Sequence, residues 1–314
     1  MNYRRCRQIP SGLSFFRSVQ ARFSLGQATT TDVDRGEISL MHQATKTRPN
    51  IVRIERTQHI MGVLTDEQRL FYEANGYLVI PNALSAARLE RVREAADRAE
   101  AAWQADLSRP GARNENLRQI QAPIEYDEQL LDLLDYPGTF PLIREILGND
   151  ISMIDNDYFI SPPHTRTHAH WHHDVGMPGV YHPRSAIMVK LFFLLEDVTE
   201  DGGCTLFLPG SHRFPLDFAL PTVDEPTDMP GHAKMAFPAG TAYFFNGRCY
   251  HAATANRSDR ARRVLIFNYG HHWMRIWPGY EPSEAIKSTA STAVRRQLLG
   301  MGPAYQTSLK EEGK

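Results

Sequence analysis

The chain of 314 residues carries 35 basic against 36 acidic side chains, a net charge of −1, with 42% hydrophobic and 23% charged residues. This is too apolar for a disordered chain, and it lacks the basic surplus of a nucleic-acid or anionic-membrane binder. The three cysteines, Cys6, Cys204 and Cys249, form no C-x-x-C, which argues against a disulfide framework or thiolate zinc site. The longest apolar run, 186–195, is broken by Lys190 and is too short to span a bilayer. A soluble protein is expected, monomeric or homodimeric, cytoplasmic, with no nucleic-acid or membrane partner.

Residues 1–60 differ from the rest. Arg4, Arg5, Arg7, Arg17 and Arg22 precede the first acid, Asp32, with Ser11, Ser14, Ser18 and Ser24 among them. That composition suits a disordered leader, either an over-extended start or a mitochondrial transit peptide, and the second would make the protein mitochondrial. The domain proper is expected over 61–314.

From Thr65 the punctuation is clear. Thr65-Asp-Glu-Gln68 is a capping box, and the helix it opens should stop at Gly76. A short strand, 77–80, ends at Pro81. Ser85 then caps a longer helix with Leu89, Val92, Ala96, Ala99 and Trp103 on one face, followed by a polar loop over 106–116. Another short helix spans 139–147 and closes at Gly148. Beyond Asp150 the texture changes to strands separated by Gly/Pro turns: 151–160, 186–195, 204–208, 241–246 and 263–270, with an insert at 214–231. Helices first and antiparallel strands later give an α+β domain whose sheets close as a barrel or jelly roll.

Eleven of the 13 histidines fall between His164 and His272, five of them in the run His164, His168, His170, His172 and His173. In an extended segment, His172 and Asp174 point to one face and His173 to the other. A distant His251 completes two imidazoles and one carboxylate, a set that leaves metal positions open as in non-heme iron(II) oxygenases. Asn256 to Asp259 has turn chemistry, so the chain should reverse after His251 and return at Arg262 on a neighbouring strand. A guanidinium there would grip a carboxylate through paired hydrogen bonds. His164, His168 and His170 are better read as loop residues than as a zinc site. Trp273 and Trp277 suit either the mouth of a pocket or the core.

The ordered set W-H-x-D (171–174), G-G-C-T-L-F-L-P-G-S-H (202–212), G-T-A-Y-F-F-N-G-R-C-Y-H (240–251) and N-R-S-D-R-A-R-R (256–263), with the opening F-Y-E-A-N-G-Y-L-V-I-P (71–81), resembles the phytanoyl-CoA dioxygenase family. The resemblance implies a double-stranded β-helix with an N-terminal helical layer. It implies a 2-oxoglutarate-dependent dioxygenase that hydroxylates an unactivated C–H of a small organic substrate and releases succinate and CO2. By the same resemblance His172, Asp174 and His251 hold iron(II), and Arg262 holds the distal carboxylate of 2-oxoglutarate, with O2 as second co-substrate. Asp174 favours hydroxylation over halogenation, which needs that position vacant. Two departures concern the co-substrate. The family often has Ser or Thr where this chain has Ala253, and some members use an upstream lysine where the nearest cation here is Arg118. Lys190, a lone charge in an apolar strand, is the other candidate for that contact. The alternatives are a non-catalytic or zinc-binding β-helix protein, and a cupin-type metal-dependent isomerase or hydrolase. Neither needs Arg262.

Overall fold

The computed structural model describes residues 63–175, 186–215 and 218–302. The leader at 1–60 and the expected boundary at 61 lie outside them. Thr65 caps α1 (Asp66–Asn75) with the expected reciprocal box, and Gly76 ends it at φ +82°, a left-handed conformation that glycine adopts without strain. After β1 (Tyr77–Ile80), Ser85 caps α2 (Ala86–Ala105), whose Leu89, Val92, Ala96, Ala99 and Trp103 are all buried. The segment expected as a loop contains β2 (Gly111–Arg113), which pairs with β3 (Arg118–Gln121). The strand is too short and polar to show in the sequence. Short helices α3 (Glu128–Leu131) and α4 (Phe140–Leu147) complete the layer before the strands.

The strands are β4 (Ile151–Ser161), β5 (Met188–Leu194), β6 (Thr205–Phe207), β7 (Ala233–Met235), β8 (Ala242–Asn246), β9 (His251–Ala253) and β10 (Arg262–His271). Helices α5 (Glu284–Ser288) and α6 (Ala293–Leu298) follow. A large antiparallel sheet runs β1-β8-β5-β10-β4-β3-β2, and a small one runs β7-β6-β9. Together they form the expected α+β double-stranded β-helix.

Strand alternation separates two cores. On one face of the large sheet Leu191, Phe193, Phe244, Leu265 and Phe267 pack with Val92, Trp103, Leu130 and Ile143 of the helices. On the other, Phe192, Leu194, Tyr243, Phe245, Val264 and Ile266 meet Leu206, Phe207 and Ala252 of the small sheet. Phe207 packs edge-on against Tyr243 with ring centroids 5.8 Å apart, which ties the two sheets across the barrel.

One sequence expectation is corrected here. β9 and β10 do not form a hairpin: β9 pairs with β6 in the small sheet, whereas β10 pairs with β4 and β5 in the large one. The intervening segment carries the chain between sheets around Asn256, whose Nδ2 donates to the carbonyls of Ser161, Pro162 and Arg260. Buried side-chain bonds of this kind replace the ladder a hairpin would supply.

Candidate active site

His172 and His251 exchange backbone hydrogen bonds, His172 N to His251 O at 3.0 Å and the reverse at 2.8 Å. The His172 segment therefore lies alongside β9 as a further short pairing. Asp174 N donates to Gly247 O at 2.9 Å, which fixes its backbone just before β9. The ligand atoms of His172, Asp174 and His251 come within 4.8 Å of one another. Among the described residues no other group of His, Cys, Asp and Glu side chains is arranged to hold a metal ion.

Both imidazoles are oriented for coordination through Nε2. His172 Nδ1 lies 2.7 Å from the carbonyl of His170, and His251 Nδ1 lies 3.0 Å from that of Cys249. A carbonyl can only accept, so each Nδ1 carries the proton and each Nε2 presents a lone pair. Burial, with the neighbouring His172 and Lys190 adding to it, pushes His251 down to about 3 against the pull of Asp174, so the ring is neutral. Asp174 Oδ2 is buried, has no hydrogen-bond partner among the described residues and lies 3.6 Å from His251 Nε2. Two imidazoles held through Nδ1 and a carboxylate with one free buried oxygen fit a divalent cation.

Arg262 begins β10 on the inner face and is buried. Its Nη2 donates to Thr205 Oγ1 at 2.9 Å and approaches the Tyr243 hydroxyl at 3.4 Å, while its Nε has no partner among the described residues. Thr205 and Tyr243 hydroxyls are 2.9 Å apart. Thr205 is the cross-strand partner of Ala253, so a hydroxyl stands beside the position where the chain itself has alanine. Neither Thr205 nor Tyr243 was singled out from the sequence. The available signal was alternation, because Tyr243 and Phe245 share the inner face, as do Thr205 and Phe207.

Lys190 lies inside the barrel on β5, with its Nζ 2.8 Å from Asp174 Oδ1. Arg118 does not reach the site. It faces the helical layer, opposite Ile160, and pairs with Glu100 of α2 at 3.0 Å. The inward residues of β3 are its neighbours Gln119 and Gln121, and Gln119 Nε2 donates to Asp157 at 3.0 Å. Arg263 points outward to Glu196 at 2.8 Å, as alternation requires.

The inner face also carries acids at alternate positions of β4, which the sequence reading passed over. Asp155 accepts from Asn268 Nδ2 at 2.6 Å, and Asp157 accepts from Tyr280 at 3.0 Å. Burial pushes Asp155 up to about 7, against the nearby Lys190, and Asp157 up to about 6.

Among the remaining histidines, His168 packs edge-on against Phe159 and is pushed down to about 4, by burial first and then by Arg262 and His172. His164 pairs with Asp259 at 3.0 Å on the surface. Cys249 is buried with its thiol pushed up to about 12 and is no ligand. Trp273 and Trp277 are 56% and 41% exposed, so neither is a core residue.

Residues 72–264 match the profile of the phytanoyl-CoA dioxygenase family. The chain is 24% identical over 267 residues to the peroxisomal phytanoyl-CoA dioxygenase of Rattus norvegicus, covering 76% of this chain and 75% of the relative. It is 22% identical over 235 residues to the L-proline trans-4-hydroxylase of Streptomyces griseoviridis, covering 65% and 85%. Among solved structures it resembles HygX from Streptomyces hygroscopicus with nickel, 2-oxoglutarate and hygromycin B bound. That match has a TM-score of 0.58 at 16% identity and covers 70% of this chain and 94% of the other.

Proposed function

The chain belongs to the phytanoyl-CoA dioxygenase family, and on that premise we propose that it is an iron(II)- and 2-oxoglutarate-dependent dioxygenase that hydroxylates an unactivated C–H of a small organic substrate. His172 and His251 through Nε2, and Asp174 through Oδ2, would hold the metal, and Arg262 with the Thr205 and Tyr243 hydroxyls would hold the distal carboxylate of 2-oxoglutarate. When bound, iron(II) with 2-oxoglutarate and O2 supplies the oxidation that converts C–H to C–OH, one oxygen atom going to the product and the other to succinate, with loss of CO2.

The observation that carries this reading is the spacing of the two subsites. Arg262 reaches Thr205, whose strand partner Ala253 lies two residues beyond His251. Two residues of strand span roughly 6.7 Å. A buried guanidinium one step along the barrel from the triad suits a co-substrate that carries a second carboxylate. The guanidinium is buried, so a carboxylate there meets two charge-assisted donors in a low-dielectric site. Phe192 and Ile266 belong to the apolar cluster between the two sheets, with Phe159 packed against it, so the barrel interior around these groups is of low polarity.

Incubation of iron(II)-loaded protein with 2-oxoglutarate and O2 should yield succinate in step with O2 consumed. A product one oxygen atom heavier than its substrate should appear once an accepted substrate is supplied. Succinate formation that never couples to an added oxygen in any substrate, across amino acids, acyl thioesters and polyketide-like small molecules, would sink the hydroxylase part of the proposal.

A further inference from the structure

We infer that Lys190 is a positioning residue that makes Asp174 a ligand through one oxygen only. This rests on the proposed metal role of the His172, Asp174 and His251 set.

The two carboxylate oxygens of Asp174 have different surroundings. Oδ1 accepts from Lys190 Nζ at 2.8 Å, while Oδ2 is buried, has no hydrogen-bond partner among the described residues and faces His251 Nε2 at 3.6 Å. The Asp174 backbone is fixed by Gly247, but those bonds leave rotation of the carboxylate about its own axis free. Lys190 removes that freedom. It is anchored on β5 between Asn268 of β10 and Phe245 of β8 in the large sheet, so its ammonium approaches from a rigid wall. The pair is buried, with side chains 13% and 8% exposed, so water competes weakly for either partner.

The chemical consequence concerns the number of open metal positions. Two imidazoles and one carboxylate oxygen would leave three positions of a bound metal available to 2-oxoglutarate and O2. A carboxylate binding through both oxygens would occupy one of them. With Oδ1 committed to an ammonium, that mode is blocked without removing the ligand. A lysine is suited to this because its point charge satisfies one oxygen, whereas the planar fork of an arginine would bind both.

Cobalt(II) tests this without turnover, because its visible absorption reports coordination number and geometry. Wild-type protein should give a spectrum that His172→Ala abolishes and that 2-oxoglutarate changes on titration. Lys190→Met should keep cobalt(II) binding but show a shifted spectrum before any 2-oxoglutarate is added, and it should need about tenfold or more 2-oxoglutarate to reach its end point. Lys190→Arg should bind cobalt(II) about tenfold or more weakly, since its fork competes for Oδ2. A Lys190→Met spectrum without 2-oxoglutarate that superimposes on wild type overturns the inference, and if 2-oxoglutarate binding alone is weakened the lysine acts on the co-substrate instead. Should Lys190→Met not fold, unchanged cobalt(II) affinity in folded Lys190→Arg overturns it equally. Absence of any cobalt(II) spectrum in wild type would instead defeat the metal-site reading, whatever Lys190 does.

Discussion

Arg262 and His251 stand on opposite walls of one barrel: Arg262 opens a strand of the large sheet, His251 opens a strand of the small sheet, and the guanidinium crosses to Thr205 on the strand beside His251. Anchorage from two walls separates co-substrate grip from metal grip. Arg262→Ala should raise the 2-oxoglutarate concentration needed for succinate formation about 30-fold or more, from a loss of about 2–5 kcal/mol, with little change in metal affinity. Arg263→Ala removes the outward pair with Glu196 and should leave the 2-oxoglutarate requirement near wild type while lowering stability by about 1 kcal/mol. Titrating 2-oxoglutarate against succinate for both variants checks this, and a silent Arg262→Ala would remove the subsite from Arg262.

The ligands should differ in what their loss does to the apo protein. His172 is exposed, and Asp174 carries the ion pair to Lys190, whose side chain is 13% exposed. His172→Ala should therefore abolish metal binding while changing unfolding free energy by no more than about 0.5 kcal/mol. Asp174→Ala should abolish it too, but should cost about 3–5 kcal/mol because a buried ammonium loses its partner. Chemical denaturation of the metal-free proteins measures the difference, and equal stabilities would show that Lys190 finds another partner.

Asp155 makes folding pH-dependent in an unusual direction for a carboxyl. Burial raises it to about 7 from the ordinary carboxyl value of 3.8, so between those values the native state holds a proton that the unfolded chain has lost. Its stabilising contribution is complete below the unfolded value and is lost as pH rises toward 7. Asp155→Asn is neutral at every pH and should lack this loss. Comparing metal-free wild type with the variant cancels the opposing contribution of His251. The stability of wild type relative to the variant should fall by roughly 2–4 kcal/mol between pH 4 and 7. A difference that does not change over that range would mean Asp155 is ionised throughout.

Gly203 has φ +75°, and a Cβ on it would lie 3.2 Å from Asn256 Cβ and 3.6 Å from Arg262 Cδ. The left-handed backbone and the close approach both require glycine. Gly203→Ala should cost about 1–2 kcal/mol in stability and should raise the 2-oxoglutarate requirement, because the strain is felt at Asn256 and Arg262 together. Thermal unfolding and the same succinate titration report the two effects, and a variant that changes neither would show that the crossing tolerates displacement.

The sequence made some of this legible and concealed the rest for identifiable reasons. Capping residues and apolar periodicity are local signals, so Thr65, Gly76, Ser85 and the buried face of α2 were readable. The spacing of His172 and Asp174 is local too, and strand alternation places them together. Sheet assignment is a long-range property. The turn chemistry around Asn256 suits a hairpin and an inter-sheet crossing alike, so the sequence favoured the wrong partner for β10. Arg118 was misplaced by a single step of alternation, which sends it to Glu100 and turns Gln119 inward. Thr205 and Tyr243 became visible as carboxylate donors only when the two sheets faced one another, since β6 and β8 share no backbone ladder and meet through these two hydroxyls.

The central claim is that this barrel couples 2-oxoglutarate oxidation to O2 at the site formed by His172, Asp174, His251 and Arg262. Turnover under isotopically labelled O2, with mass analysis of succinate, tests it most directly. One labelled oxygen atom in each succinate from wild type, and no succinate from His172→Ala, is the result predicted. Unlabelled succinate, or no consumption of 2-oxoglutarate by folded, iron-loaded wild type, would contradict it.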